Sequence, residues 1–552
     1  MTLAFAGPRG ECRPVRLSLA LIAVVLVACS HPSAPVAPKA VASSWKGPEI
    51  LAPVPADTPY LFGVLEPVPV AVRDQLFAQS GVQVKAALQK AASSGEGRAA
   101  LVAAALYQEL DGVEPARWLE ALGMASDARF VIYGMSIWPV VRIEIKDPVR
   151  VRELVARLVK AGDPELQPRT VGKAMVYVLE DKRVSIVFGV VDRELVGALV
   201  PTVKLDIAMP AILGTEKPAQ SLQTAKTLPA LLARHRFLPT MIGFGDAVRV
   251  LDALSGHGKG QYDQLDTMFD GLITAPCQDD LGRIAAVLPR VVLGYRRLDE
   301  RGFVAAMAIE SPASVIRGLQ KLHTPMPAMP VKTQPMFAFG AAVNVDAMFT
   351  WMRDVTGQLR SRPFRCDALV KVNHDIDDLA AKLDQPMPPI ARGLRGFELV
   401  VDDATVLPPG GTGHLLVVGD HMADLVHQML AALPMLAVLH LESNGVPVAV
   451  PLDQLGVPGI KSAHMALRET RAALAVGDSS ASRASERLGA PDAHAPLMTL
   501  SYDLPKLRER FGMFMKSSDF EGLSNVGSTS LALDVGEDGI YIDMVGTWAH
   551  GR

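Results

Sequence analysis

Cysteine, aromatic mass and charge of either sign are all scarce in this sequence, and each shortage excludes something. Four cysteines in 552 residues are too few for a disulfide framework to stand in for a core. None sits in a C-x-x-C pair, so the chain encodes no thioredoxin-like redox centre and no paired-cysteine zinc site. A formal charge of −3, from 55 basic and 58 acidic residues, supplies no basic field for nucleic acid. After the first 28 residues every long apolar stretch is broken by proline, charge or a turn, short of the ~20 residues that span a bilayer. Even Met422 to Leu441 contains Asp424, His427 and Pro434. The short signatures of catalysis are missing as well: there is no G-x-S-x-G, no H-E-x-x-H and no G-x-x-x-x-G-K-[ST]. We therefore expect no cofactor and assign no catalytic residue.

What is present begins with an address. Arg9, Arg13 and Arg16 precede an apolar run from Leu17 to Val27, interrupted only by Ser18 and ending in Leu26-Val27-Ala28-Cys29. A basic region, a short apolar region and small residues before the cut form an export signal. The four final residues resemble the lipobox of bacterial lipoproteins. That resemblance implies cleavage before Cys29, lipid attachment to its thiol, and loss of residues 1–28 with Cys12. Ser30, where aspartate would favour inner-membrane retention, implies the outer membrane within a cell-envelope location, facing periplasm or surface. The mature chain would keep about 524 residues with a formal charge of −5, enough for two to four domains.

Residues 29–51 carry the lipidated cysteine and a Pro/Ala-rich stretch without periodicity, read as a tether able to reach up to ~75 Å at ~3 Å per residue. The segment that follows, Pro55-Ala56-Asp57-Thr58-Pro59-Tyr60, resembles the motif that leads into the body of an uncharacterised family of exported bacterial lipoproteins. No activity comes with that resemblance.

Two kinds of unit compose the body. One is a single strand running into a helix, at Tyr60-Leu61-Phe62-Gly63, Met241-Ile242-Gly243-Phe244, Met336-Phe337-Ala338-Phe339 and Leu497-Met498-Thr499-Leu500. The other is a hairpin running into a helix, clearest at Val140 to Lys160. There Val141, Ile143 and Ile145 alternate with Arg142, Glu144 and Lys146, predicting a strand buried on the first face. Asp147-Pro148 then opens a helix whose stripe is Val151, Leu154, Val155, Leu158 and Val159. The pattern returns at Phe303 to Leu322, at Phe397 to Leu430 behind Asp420, at Met175 to Val200 and at Met465 to Leu488. A terminal hairpin from Leu531 to Met544 turns at Asp538-Gly539.

Because one order of units occurs twice, the expected fold is α+β in two duplicated halves, 52–322 and 335–552, each a largely antiparallel sheet with helices packed on one face. A Pro/Met-rich linker, 323–334, separates them. Cys277 and Cys366 both begin helical segments near this break. A disulfide stapling the halves is the first reading, with buried free thiols or reactive thiols as the other two.

Ligand and metal candidates are sparse. His374, Asp377 and Asp378 have the spacing of one helix face and could present imidazole and carboxylates together. Asp420, Asp424 and His427 form a similar set, with Asp420 also explained as a helix cap. Met326 and Met329 offer soft sulfur. Gly256-His257-Gly258-Lys259-Gly260 superficially resembles a phosphate loop but lacks the hydroxyl residue after lysine, and Pro408 to Gly413 reads as a hairpin turn. Ser43 and Lys46 have serine-acylase spacing inside the tether. The expected function is a lipid-anchored envelope protein without catalysis that binds a protein partner or an apolar, lipid-like ligand. The membrane would be reached through Cys29. An exported hydrolase with a site assembled between the halves is the alternative.

Overall fold

The structure is a computed structural model describing residues 45–93, 97–256, 258, 260–269, 271, 273–327, 334–387, 391–406, 409–432, 439–452, 459–512 and 526–548. The signal, Cys29, Ser43, His257, Lys259, Met329 and Pro408 lie outside the described residues. None of the described helices is long and apolar enough to cross a membrane.

Strands of the first half are β1 (Tyr60–Val64), β2 (Phe130–Met135), β3 (Trp138–Glu144), β4 (Arg169–Val171), β5 (Ala174–Glu180), β6 (Val184–Val191), β7 (Glu194–Pro201), β8 (Ile242–Asp246), β9 (Arg290–Asp299) and β10 (Gly302–Glu310). Then come β11 (Met326–Pro327), β12 (Phe337–Ala341), β13 (Leu394–Val406), β14 (Pro409–Gly419), β15 (Val448–Ala449), β16 (Ala463–Arg468), β17 (Arg471–Val476), β18 (Asp492–Ala493), β19 (Met498–Asp503), β20 (Val526–Val535) and β21 (Gly539–Trp548). All but β11 and β18, which form a separate two-stranded ribbon, join one 19-stranded sheet.

The pairings give the spatial order β4-β5-β6-β7-β3-β2-β1-β8-β9-β10, continuing β21-β20-β19-β12-β13-β14-β17-β16-β15, with every neighbouring pair antiparallel. From either outer end, the two runs meet edge to edge at β10 and β21, where Ala306 lies opposite Asp543. The registers correspond too. Tyr60 pairs with Gly245 of β8 as Phe337 pairs with Tyr502 of β19. The next residues, Asp246 and Asp503, each cap the helix that follows by accepting from the third residue onward, Arg249 N and Lys506 N.

Local rules hold where the sequence states them. Asp147 accepts from Val149 N and Arg150 N, and the helix Pro148–Gly162 buries Val151, Leu154, Val155 and Val159. Burial of such side chains contributes roughly 1.5–3 kcal/mol each.

The tether ends earlier than residue 51, because Glu49–Leu51 forms a short 3-10 helix whose Ile50 and Leu51 are fully buried in the first-half core. Three further expectations need correction. Helices pack on both faces of the sheet, not one. The helix Leu205–Ile212 covers Val176, Val187 and Val196, while Pro148–Gly162 covers Tyr177, Phe188 and Leu195 on the alternate positions of the same strands. The outer strands of the second half repeat this, with Ser480–Gly489 over Ala466 and Ala473 and Met422–Ala432 over Leu467 and Ala472. Secondly, Met175 to Val200 is a three-strand meander, because β6 and β7 are separate strands joined at Asp192. Thirdly, the more buried face of β3 is that of Val140 and Arg142. Arg142 is only 3% exposed, and it survives there because Glu194 accepts from its Nε at 2.7 Å and Ile212 O from its Nη1 at 2.7 Å. Burial pushes the Glu194 carboxyl up, against the pull of Arg142. A buried, fully paired arginine reads as a solvent residue in an alternating pattern.

Candidate functional site

The segment Pro55 to Tyr60 forms one wall of a pocket. Thr58, 1% exposed, donates its hydroxyl to Gly134 O at 2.7 Å and accepts from Gly134 N. Tyr60 donates its phenol to Ile137 O at 2.9 Å. Asp57 accepts from Gln261 N. The motif therefore clasps the β2–β3 turn. Opposite it stand Arg249, Asp252, Tyr262, Asp263 and Asp266, enclosing about 230 Å³ together with Ser136, Gly258 and Gly260. Ser136 holds a left-handed φ of 51° in that turn and sets its Oγ 2.5 Å from both carboxylate oxygens of Asp266.

Asp266 is fully buried. Burial pushes its carboxyl up to about 6, with Asp263 adding to the rise and the Ser136 hydroxyl opposing it. The phosphate-loop look of Gly256 to Gly260 is thereby explained otherwise. A Cβ on Gly260 would lie 2.9 Å from Asp57 Oδ2, and one on Gly258 3.0 Å from Asp266 Oδ2. These glycines let the backbone approach carboxylates, and four carboxylates around one arginine repel a phosphate.

A second constellation lies where the first half hands over to the second. His323 follows the helix Ala313–Gln320, and Met326-Pro327 of β11 pairs with Asp492-Ala493 of β18, immediately before His494. The ribbon carries the two imidazoles together, their ring centroids 5.0 Å apart and stacked. Asp534 of β20 lies beneath, with Oδ1 3.1 Å from His323 Nε2 and Oδ2 3.2 Å from His494 Nε2.

Buried ion networks lie elsewhere in the sheet. At the β10–β21 junction, His235 has its Nε2 3.1 Å from Glu310 Oε1 and its Nδ1 3.2 Å from the Tyr541 hydroxyl. Burial by itself would raise the Glu310 carboxyl, yet His235, Arg234 and Arg290 together hold it below the usual range. In the second half Glu398, 1% exposed, faces His414 Nε2 at 2.6 Å and accepts from Arg487 at 2.8 Å. Each reads as a paired structural charge.

The residues singled out in the sequence fare unevenly. Cys277 and Cys366 are disulfide-bonded. His374, Asp377 and Asp378 are all exposed on the helix Val370–Leu383, and Asp377 pairs with Arg360 at 3.0 Å. They do not converge, because helical spacing alone supplies no second element to close a site. Asp420 pairs with Arg395, and the helix begins two residues later at Met422. Asp424 is exposed, and the Nε2 of His427 lies 2.8 Å from Leu441 O. Met326 is buried in the second-half core beside Leu416 and Ala466. Both constellations described above escaped the sequence reading, since their members sit far apart in the chain and obey no local spacing. The visible signals were Asp57 in the motif and the glycines Gly258 and Gly260, which line the same pocket. Searches against protein families, curated proteins and solved structures found no match for this chain.

Proposed function

We propose that this is a lipid-anchored cell-envelope protein without catalysis, whose body arose by duplication and binds an apolar segment of a protein partner across its sheet. The observation that carries the reading is a repeated aromatic pair. Phe62 of β1 lies against Phe130 of β2 with centroids 6.0 Å apart, and Phe339 of β12 against Phe397 of β13 at 5.5 Å. In both halves the first phenylalanine precedes a glycine, Gly63 or Gly340. The register makes the second pair the counterpart of the first: Phe130 faces Val64 and Phe397 faces Ala341, one residue beyond those glycines.

All four rings are partly exposed, on the face opposite the one that buries Leu61, Val131, Ala338 and Val400. Ile132, Leu293, Leu500, Leu531 and Leu533 on that face are partly exposed too, and Leu399 is 37% exposed. Aromatic rings kept half in water at matching places supply paired anchors for an apolar segment. Matching strand order, matching register and matching helix-capping aspartates support duplication over a single irregular chain. The lipobox ending at Cys29 supports the anchor, and a tethered body suits a stationary receptor better than a shuttling lipid carrier.

Titration of the chain from residue 29 onward with the apolar dye bis-ANS tests the face. Phe62→Gln and Phe339→Gln should each remove roughly half of the bound dye, and the double substitution nearly all of it. Unchanged dye binding in the double variant would refute the proposed face.

A further inference from the structure

Among the described residues, one group of histidine and carboxylate side chains brings three metal-ligand atoms within 4.8 Å of one another: His323, His494 and Asp534. We propose that these three residues bind a divalent transition ion of the zinc class, with the fourth coordination position open to solvent. The inference is independent of the apolar face.

Geometry comes first. Tetrahedral ligands with bonds of ~2.0–2.1 Å lie ~3.3 Å from one another. The two nitrogen-to-carboxylate separations, 3.1 and 3.2 Å, are close to that spacing but run to different oxygens of Asp534, so its carboxylate must turn for one oxygen to serve both imidazoles. Asp534 stands between the two imidazoles with one oxygen toward each, and all three residues bring a ligand atom within 4.8 Å of the others. Closing the site takes a turn of the Asp534 carboxylate and a closer approach of the imidazoles, for which His494, with a side chain 70% exposed, has room.

His323 supplies a second, separate observation. Both of its ring nitrogens are buried, and neither makes a hydrogen bond of ordinary geometry, although Nε2 lies so close to Asp534. A buried imidazole held beside a carboxylate without a well-directed hydrogen bond is costly as a purely structural device. A cation between the two would satisfy both.

Donor chemistry selects the ion. Two imidazoles and one carboxylate suit zinc and its neighbours, whereas calcium and magnesium demand more oxygen. Three protein ligands leave one position for water or an exchangeable group, and the exposed side of His494 provides it. The ion would also tie three separate segments together: the exit of the first half at His323, the β11–β18 ribbon at His494 and strand β20 at Asp534. Binding uses a lone pair on each neutral imidazole and an ionised carboxylate. Protonation of the histidines in acid competes with the metal.

The test uses the full mature chain in detergent, made without a histidine tag and stripped with a chelator, titrated with zinc chloride by calorimetry and assayed for bound metal. One equivalent should bind at pH 7.5, at least tenfold more weakly at pH 5.5, and the wild type should melt at a higher temperature with zinc than without. His494→Ala should lose at least tenfold in affinity and the zinc-dependent rise in melting temperature, while melting like the wild type without metal. Asp534→Asn should lose affinity as well. Absence of binding in the wild type, binding unchanged within tenfold in His494→Ala, or tighter binding of calcium than of zinc overturns the proposal.

Discussion

Asp266 is a carboxyl whose charge the fold opposes. It is fully buried, the Ser136 hydroxyl touches both of its oxygens, and Asp263 stands nearby. Its carboxyl rises from an ordinary value of 3.8 to about 6. The folded state therefore holds this proton more tightly than the unfolded chain does. Between these two values stability falls as the pH rises, and above pH 6 the loss is complete. At about 1.4 kcal/mol per pH unit the loss amounts to roughly 3 kcal/mol. Asp266→Asn keeps the shape and removes the titration. Melting curves should show the variant gaining on the wild type at pH 8 and showing little difference at pH 4. A stability difference that does not change with pH would remove Asp266 as its cause.

At the scale of elements, the junction of the halves depends on Gly302, the first residue of β10. Its φ is 155°, and a Cβ there would lie 1.6 Å from Gly546 O on β21. No rotamer relieves a clash with backbone, so the strand pair must shift or part. Gly302→Ala should cost about 3 kcal/mol or more in denaturant unfolding, with the lost amide protection concentrated on β10 and β21. Protection loss spread evenly over the sheet would contradict this. Elements of this kind were legible wherever one local signal sufficed. Asp147-Pro148 announced its helix, Asp538-Gly539 its turn, and the recurring strand-then-helix order the run of elements along the chain. What stayed hidden depended on partners distant in sequence. Arg142 looked solvated until Glu194 and Ile212 O were seen to enclose it. Tyr177, Phe188 and Leu195 are interleaved with apolar neighbours, and an alternating pattern cannot show that both faces are covered. His323, His494 and Asp534 meet where Met326-Pro327 pairs with Asp492-Ala493, a contact between segments distant in sequence.

For the molecule as a whole, the question is what keeps two large runs of strands acting as one body. The sheet supplies one tie, from Gly302–Thr547 to Glu310–Gly539 across β10 and β21. The helices supply another at a different place. Cys277 sits in the helix Ala275–Val287 behind β8, Cys366 lies ahead of the helix Val370–Leu383 behind β12, and the two are bonded across a separation of 89 residues. Asp280 reinforces the bridge by accepting from Arg365 N and from Cys366 N at 2.8 Å. Burial opposes its charge, but those amides and Arg283 outweigh the burial and hold its carboxyl below the usual range. Loop-closure entropy for a loop of this length predicts that Cys277→Ser with Cys366→Ser costs about 4–5 kcal/mol. The β10–β21 pairing remains intact in that variant, so the chain should still fold, with far-ultraviolet dichroism unchanged and the urea midpoint lowered. Reducing the wild type should reproduce the same midpoint, because reduction removes the same constraint from the unfolded chain. If the double variant and the reduced wild type both unfold at the midpoint of the oxidised protein, the bridge is dispensable and the noncovalent contacts between the halves suffice.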